Sequence, residues 1–347
     1  MIIRGSGTYL IKVDFMDKII SFLVFFFLFS ACNNSPKFDL AKEHKELRDK
    51  AEGINNDFRK IRTEVDTLAA EISKLYELQN QILKGIDRSK YMFASNGIFT
   101  KPFNDGGSAI FVSGYYPINE DVKKVVYFTE PIDTVFRKLV NKYPEIVQVY
   151  YNDKSSLNRI YPFFDVLSQY EAKMDIPSFN FYYLADSKHN PERKSLWVNE
   201  PYVDPAGRGW MVSAIAPVYY RDSLAGVPGI DVTINRITKR YILDNQENMT
   251  IIVDNTGAIV AAQESAINLL SFPPLFEHKY VETIKQDTYR KETYSLALSK
   301  EARVRAVAID ILENKKDHIE AEINGDAITI LVAFIPELSW YLLEILR

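Results

Sequence analysis

An aspartate stands inside an otherwise apolar run in the second half of the chain. Asp231 follows Gly229-Ile230 and precedes Val232, in a segment with the composition of a β-strand. A carboxylate buried among aliphatic side chains is costly unless a partner satisfies its charge and its hydrogen bonds. That partner is either a cationic group of a bound ligand or a cation or backbone amide of the protein itself. Asp231 is therefore the first candidate binding residue.

A second group of candidates precedes Asp231 in the chain. Tyr202 and Asp204 are two residues apart in an extended segment, which places both side chains on one face. The turn signal Pro205-Ala206-Gly207 follows at once, so a conformational role is the alternative to ligand contact. Three aromatic residues are candidates for the wall of a pocket, namely Trp197, Tyr183 and Tyr151. For each of them core packing is the alternative, because aromatic side chains in strands usually pack.

The sequence lacks the patterns of several common catalytic and cofactor sites. The four histidines are dispersed and form neither an i, i+4 pair nor an HExxH motif, so no metal site is predicted. No phosphate-binding loop and no G-x-S-x-G nucleophile elbow occur, and no cofactor is predicted. The net charge of −4 gives no reason to expect nucleic acid as a partner.

The N-terminal residues have the features of a bacterial lipoprotein signal. Residues 1–31 are predicted as a signal peptide, with Met16 as an alternative start. Its apolar run, Ile19–Phe29, is shorter than the roughly 20 residues that a spanning helix needs. Cys32, the single cysteine, is predicted to carry the lipid, and residues 33–39 form a polar tether. The predicted location is the cell envelope, facing the periplasm or the outside, with a plain signal peptide as the alternative.

Residues 40–88 are predicted to form one long helix. Apolar residues recur every seven positions, and a second apolar set lies at the three- or four-residue offset. The first set is Leu40, Leu47, Ile54, Ile61, Leu68, Leu75 and Ile82, and the second is Ala51, Phe58, Val65, Ile72 and Ile86. The spacing fits a coiled-coil dimer stalk, and it also fits a single helix that packs its apolar stripe on its own domain. Gly53 and Phe58 favour the second alternative.

The rest of the chain is predicted to be α+β, with two antiparallel sheets. Short β-type runs are Ser108–Gly114, Val125–Phe128, Ile146–Tyr151, Met211–Tyr220 and Val227–Thr233, and a helix is expected at Ile132–Lys142. Hairpin signals at Asp254–Gly257 and Asn324-Gly325 mark a second, smaller unit that ends in a strand at Trp340–Ile345.

Several of these segments resemble the double Cache family of extracytoplasmic sensor domains. The similarity is carried by Trp197, PYVDPAGRGWMVS at 201–213, PVY at 217–219 and GVPGIDVT at 226–233, with Ile160–Asp165 and Phe181–Asp186 in support. The resemblance implies a long helix followed by two PAS-like antiparallel-sheet modules. A membrane-distal, ligand-binding module would occupy residues 89–245, and a membrane-proximal module residues 246–347.

The resemblance also assigns roles to the candidate residues. In family members that bind amino acids, an aspartate of the GIDV strand and a YxD pair hold the ligand's amine, and an upstream Arg-x-Trp holds its carboxylate. Tyr202, Asp204 and Asp231 match the amine half. The carboxylate half does not match, which puts amino-acid binding in doubt and leaves an amine-bearing or other polar ligand as the expectation.

These features predict a sensor lipoprotein, not an enzyme, that binds a small molecule and signals through a separate membrane protein. A homodimer through the long helix is the expected outcome if the coiled-coil alternative holds. Two other functions remain open. One is a structural envelope lipoprotein that assembles through the helix, and the other is a periplasmic hydrolase with Asp204 and Asp231 as an acid–base pair.

Overall fold

The computed structural model describes residues 38–243, 249–273 and 294–347. The predicted signal peptide, Cys32 and tether residues 33–37 lie outside these ranges. No helix within them is both long enough and apolar enough to cross a bilayer. One compact unit, Glu46–Arg347, contains all of the strands described below.

The helices and strands follow the α+β plan. The described α-helices are α1 (Leu40–Ile82), α2 (Glu120–Phe128), α3 (Asp133–Lys142), α4 (Val166–Gln169), α5 (Asn180–Tyr183), α6 (Ile234–Ile237), α7 (Glu264–Leu269) and α8 (Ala302–Leu312). The strands are β1 (Met92–Phe93), β2 (Phe99–Thr100), β3 (Ala109–Val112), β4 (Ile146–Asp153), β5 (Leu157–Tyr161), β6 (Leu196–Val203), β7 (Trp210–Ile215), β8 (Val218–Tyr220), β9 (Ser223–Thr233), β10 (Met249–Val253), β11 (Ile259–Ala262), β12 (His318–Ile323), β13 (Asp326–Ile335) and β14 (Trp340–Leu346).

The larger sheet is antiparallel and has the order β1-β2-β3-β5-β4-β9-β7-β6, with β8 added to β9. Strand β9, which carries Asp231, is an inner strand between β4 and β7. One face of the sheet packs against helices α1 to α3. On that face Tyr151 bonds the Tyr76 hydroxyl of α1 at 2.6 Å, and Arg159 bonds Asp133 of α3 at 2.8 Å. The opposite face is covered by the segment that connects β5 to β6.

The smaller sheet is also antiparallel, in the order β11-β10-β14-β13-β12. Its core side chains pack against α7 and α8, for example Ile251 and Ile330 with Ile267 and Val304. The expected hairpin joins β12 to β13, and Asn324 and Gly325 have positive φ values of 57° and 86°. Both values are those that a two-residue type I′ turn requires.

Helix α1 buries its apolar stripe within the chain. Leu47, Ile54 and Leu68 are at most 1 % exposed. The ring of Phe58 lies 5.2 Å from Trp197 of the larger sheet and 6.2 Å from Trp340 of the smaller sheet. The structure therefore favours the helix packed on its own domain. The seam expected for a coiled-coil homodimer is covered by the chain's own sheets.

A hydrogen-bonded junction joins α1 to both sheets. Glu337, in the turn between β13 and β14, accepts hydrogen bonds from Arg62 Nε of α1 and, at 3.3 Å, from Trp197 Nε1 of β6. The backbone N–H of Glu337 donates to Asn55 Oδ1 of α1 at 2.8 Å. Asn199 of β6 donates to the Leu338 carbonyl at 2.9 Å. Strand β6 is therefore bonded directly to the smaller sheet's last turn.

The strand expected at Val125–Phe128 is wrong, because these residues end helix α2. The Asn119 side chain accepts hydrogen bonds from the backbone N–H groups of Asp121 and Val122, which caps the helix at its first turn. Val122 and Val126 are then on one face and both are buried. A short apolar run without its cap is ambiguous between helix and strand.

Replacing Phe58 tests the burial of the α1 stripe. Phe58→Ala is expected to lower the free energy of unfolding by about 3–5 kcal/mol, because it removes a buried aromatic ring and leaves a cavity between the two sheets. Urea denaturation followed by circular dichroism measures the loss. Leu78→Ala on the same helix is the control, since Leu78 is 50 % exposed and its truncation should cost less than about 0.5 kcal/mol. Equal losses in the two variants would contradict the packing described here.

Candidate ligand-binding site

A cavity of about 20 Å³ lies on the face of the larger sheet that points away from α1. Its polar lining consists of Gln148, Tyr150, Asn152, Asn158, Tyr170, Tyr202, Asp204 and Asp231. Its apolar lining consists of Ile160, Met174, Ile176, Phe181 and Pro205. The sheet supplies the floor of the cavity. The segment from residue 162 to 186, called the roof here, supplies Tyr170, Met174, Ile176 and Phe181.

Asp231 is held by its two cross-strand neighbours. Gln148 on β4 and Ser213 on β7 lie directly opposite Asp231 in the register of the sheet. Gln148 Nε2 donates to Asp231 Oδ2 at 2.6 Å, and the Ser213 hydroxyl donates to Oδ1. The carboxyl group is 1 % exposed, and none of the ion pairs within the described ranges includes it.

Burial, and after it the negative charge of Asp204, raise the pKa of Asp231 to about 8. The hydrogen bonds from Ser213 and Gln148 lower the pKa but do not offset the loss of hydration. Without a ligand the carboxyl group is therefore mostly protonated at pH 7. A bound cation would favour the ionised form.

Asp204 organises the turn that follows β6. Its Oδ1 accepts the backbone N–H of Ala206 at 2.9 Å, and its Oδ2 accepts that of Arg208 at 3.1 Å. Burial raises the pKa of Asp204 despite these bonds. Gly207, at φ 78°, takes the left-handed conformation that closes the turn. The carboxylate thus has the expected conformational role, and it also lines the cavity.

Tyr202 adds a further polar side chain to the hydrogen bonds around Asp231. Its hydroxyl lies 2.5 Å from the Ser213 hydroxyl, which in turn donates to Asp231. The Tyr202 ring lies 5.5 Å from that of Phe181 in the roof. Gln148, Asp231, Ser213 and Tyr202 therefore form one hydrogen-bonded row across four strands, with its members facing the cavity side of the sheet.

Two buried polar atoms in the lining have no hydrogen-bond partner among the described residues. They are the hydroxyl oxygen of Tyr150 and Oε1 of Gln148. Such groups are costly in a folded protein, and they commonly mark a place where a ligand or a water binds. The Tyr150 ring lies across Gly229 of β9, where a Cβ atom would stand 2.1 Å from the ring. Gly229 is thus required for the ring to occupy this position.

The sequence prediction missed Gln148, Tyr150 and Asn152. They are alternate residues of β4, so all three point to the cavity face. The polar set at every second position in Gln-Val-Tyr-Tyr-Asn was the available signal. The missed roof residues, such as Tyr170 and Phe181, lie in loops and short helices. In such segments the periodicity of the sequence does not predict which way a side chain points.

Three predicted wall residues do not line the cavity. Tyr151 is next to Tyr150 in β4, and the strand pleat therefore turns it to the α1 face, where it bonds Tyr76. Trp197 packs on Phe58 and bonds Glu337 at the junction. Tyr183 is 36 % exposed, and its ring lies 5.1 Å from that of His189. The structure thus brings together Asp231, Asp204 and Tyr202 and places the other three elsewhere.

The arrangement favours a ligand that donates hydrogen bonds. Asp231 and Asp204 supply acceptors, and the aromatic rings of Tyr150, Tyr202 and Phe181 supply faces that attract cations. Within the described residues, no cluster of three or more His, Cys, Asp or Glu side chains is placed to hold a metal ion.

The fold was compared with known proteins. No family model matches the chain, and the search of curated proteins gave no match. The extracellular domain of mmHK1S-Z2, assigned as a histidine kinase, is similar in structure, with a TM-score of 0.52 and 14 % identity over 88 % of this chain and 96 % of that chain. The corresponding mmHK1S-Z3 domain gives 0.51 and 12 % over 90 % and 95 %.

A chemoreceptor domain is similar to the same degree. The ligand-binding domain of Pseudomonas fluorescens CtaA, solved in complex with L-isoleucine, has a TM-score of 0.50 and 14 % identity over 88 % of this chain and 92 % of that chain. These neighbours are extracytoplasmic parts of signalling receptors with a double Cache architecture. The long helix followed by two antiparallel sheets gives this chain the double Cache fold.

Proposed function

We propose that the protein is an extracytoplasmic sensor lipoprotein that binds a polar, amine-bearing small molecule in the cavity beside Asp231. It would be anchored at Cys32 and would signal through a separate membrane protein. The larger sheet and its roof, within residues 89–245, would be the ligand-binding module, and residues 246–347 the membrane-proximal one. The ligand complex of the structurally similar CtaA domain supports a small-molecule site in this fold.

The observation that carries the proposal is the environment of Asp231. Its carboxyl group is buried beside a cavity and is bonded by an amide and a hydroxyl, with no ion pair among the described residues. A structural carboxylate is normally paired with a cation or with several backbone amides, because its desolvation is otherwise uncompensated. A ligand cation would favour the ionised form of Asp231 and supply that partner.

Binding requires the cavity to expand. About 20 Å³ is room for about one water molecule, whereas pockets for drug-sized ligands measure about 300–1,000 Å³. The roof contains only the short helices α4 and α5 and a single 3-10 turn, Ile176–Ser178. We infer that this segment moves outward when a ligand enters, and that its movement is the conformational signal.

Ligand-induced stabilisation tests the site directly. A thermal-shift screen of the purified protein against amino acids, amines, carboxylates and purines should raise Tm with at least one amine-bearing compound. Asp231→Asn should abolish that shift, because the isosteric amide keeps the packing and removes the charge. The control is Asp222→Asn at the β8–β9 turn, where the side chain is 84 % exposed. A full shift in Asp231→Asn would remove Asp231 from the site.

The raised pKa of Asp231 predicts a pH dependence of stability. A carboxyl group with a native pKa of about 8 and an unfolded pKa of about 3.9 holds a proton only in the folded state between these values. The free energy of unfolding of the ligand-free protein should therefore fall as pH rises from 6 to 8, by at most about 1.4 kcal/mol per pH unit.

The range from pH 6 to 8 separates the titration of Asp231 from that of buried Asp153, whose pKa is raised by burial to about 6. Denaturant unfolding at pH 6, 7 and 8 should give a smaller slope for Asp231→Asn than for wild type, and Asp222→Asn should retain the wild-type slope. Identical slopes in all three proteins would show that Asp231 is ionised in the native state throughout this range.

Loss of the side-chain hydroxyl should have different effects on stability at two tyrosines of the lining. Tyr150→Phe removes a buried hydroxyl without a described partner, so stability should stay the same or rise by about 1 kcal/mol, while ligand affinity falls. Tyr202→Phe removes the bond to Ser213 and should cost about 1–3 kcal/mol. Chemical denaturation and calorimetric titration measure the two effects. Destabilisation by Tyr150→Phe equal to that by Tyr202→Phe would contradict this assignment.

A further inference from the structure

The cavity lining has two acidic side chains and no basic ones. Asp204 and Asp231 are both in the lining, and among the described residues that form it none is Lys, Arg or His. An amino acid presents both an ammonium and a carboxylate. The lining offers a counter-charge to the first group and none to the second.

Three hydrogen-bond donors of the lining are engaged within the protein. The Gln148 amide donates to Asp231, and the Asn158 amide donates to Asn152 Oδ1 at 2.7 Å. The Tyr170 hydroxyl donates to Asn158 Oδ1 at 3.3 Å. The unpartnered atoms are Gln148 Oε1, which only accepts, and the Tyr150 hydroxyl. Gln148 Oε1 therefore needs a donor from a ligand, while the Tyr150 hydroxyl and Asn152 Nδ2 are lining donors without a described acceptor.

The guanidinium of Arg208 lies beside this site and is not part of the cavity lining. It donates to the backbone carbonyls of Val147 and Pro162, both at 3.2 Å, and lies 5.8 Å from the ring centre of Phe164. Its positive charge lowers the pKa of Asp231 less than burial raises it. The two carbonyl bonds use two of its five N–H donors, and the side chain is not part of the cavity lining.

From this asymmetry we infer that the ligand is an organic amine that lacks a carboxylate, and that the site discriminates against the corresponding amino acid. The inference rests on the proposed function and narrows it. A ligand carboxylate would lose its hydration next to two acidic side chains without gaining a cation, and this penalty falls on the amino acid alone. The ammonium group would bind at Asp231, with Tyr150 and Gln148 Oε1 as further contacts.

Matched pairs of compounds test the inference, because the members of each pair differ only in the α-carboxylate. The pairs are tyramine and L-tyrosine, histamine and L-histidine, cadaverine and L-lysine, and agmatine and L-arginine. Calorimetric titration of the full-length protein at pH 7.5 gives the apparent Kd of each compound. At least one amine should bind, and it should bind at least tenfold more tightly than its amino acid. Asp231→Asn should lose that binding, and Asp222→Asn should retain it.

The possible outcomes separate this inference from the proposed function. Tighter binding of an amino acid than of its amine, with loss of binding in Asp231→Asn, would overturn the inference and leave the sensor function supported. Equal binding of both members of a pair would also overturn it, since the carboxylate would then be tolerated. No binding by any of these compounds would count against both.

Discussion

The carboxyl group of Asp231 is buried in an inner strand of the larger sheet, and its neighbours are arranged around that burial. Gln148 and Ser213 lie opposite Asp231 on the two adjacent strands and donate to its two oxygens. These bonds do not offset the lost hydration, so the pKa rises to about 8. The group is therefore mostly a neutral acid at pH 7, and in the proposed function a ligand cation would shift it to the ionised form.

A glycine of β9 makes room for one of the aromatic rings in the cavity lining. The Tyr150 ring lies over Gly229, a position that any Cβ atom would block. The turn after β6, held by the Asp204 carboxylate, brings Asp204 and Pro205 to the same cavity. Aromatic side chains of the roof then close it from above. The cavity thus has a floor of β-strands and a cover of short helices and turns.

Strand β6 takes part in both the cavity and the junction between the sheets. Tyr202 lies in the lining, while Trp197 and Asn199 of the same strand bond the turn at Glu337 and Leu338. The register of β6 against β7 is irregular between Val198 and Tyr202. Helix α1 covers the junction through Phe58. A displacement of Tyr202 would therefore act on a strand that is bonded directly to the smaller sheet.

The sequence by itself determined the long helix, the α+β class and the hairpin at Asn324-Gly325, and it offered Tyr202, Asp204 and Asp231 as candidates, which line one cavity in the structure. These features depend on local periodicity, turn chemistry and a charged residue in an apolar strand, all of which are readable along the chain. Only the tertiary structure decided that Tyr150 lines the cavity while Tyr151 faces α1, and that Trp197 belongs to the junction. It also decided that α1 packs on its own sheets. The physical reason is that spacing shows which residues share a face of a strand, whereas register and layer packing decide which layer that face contacts.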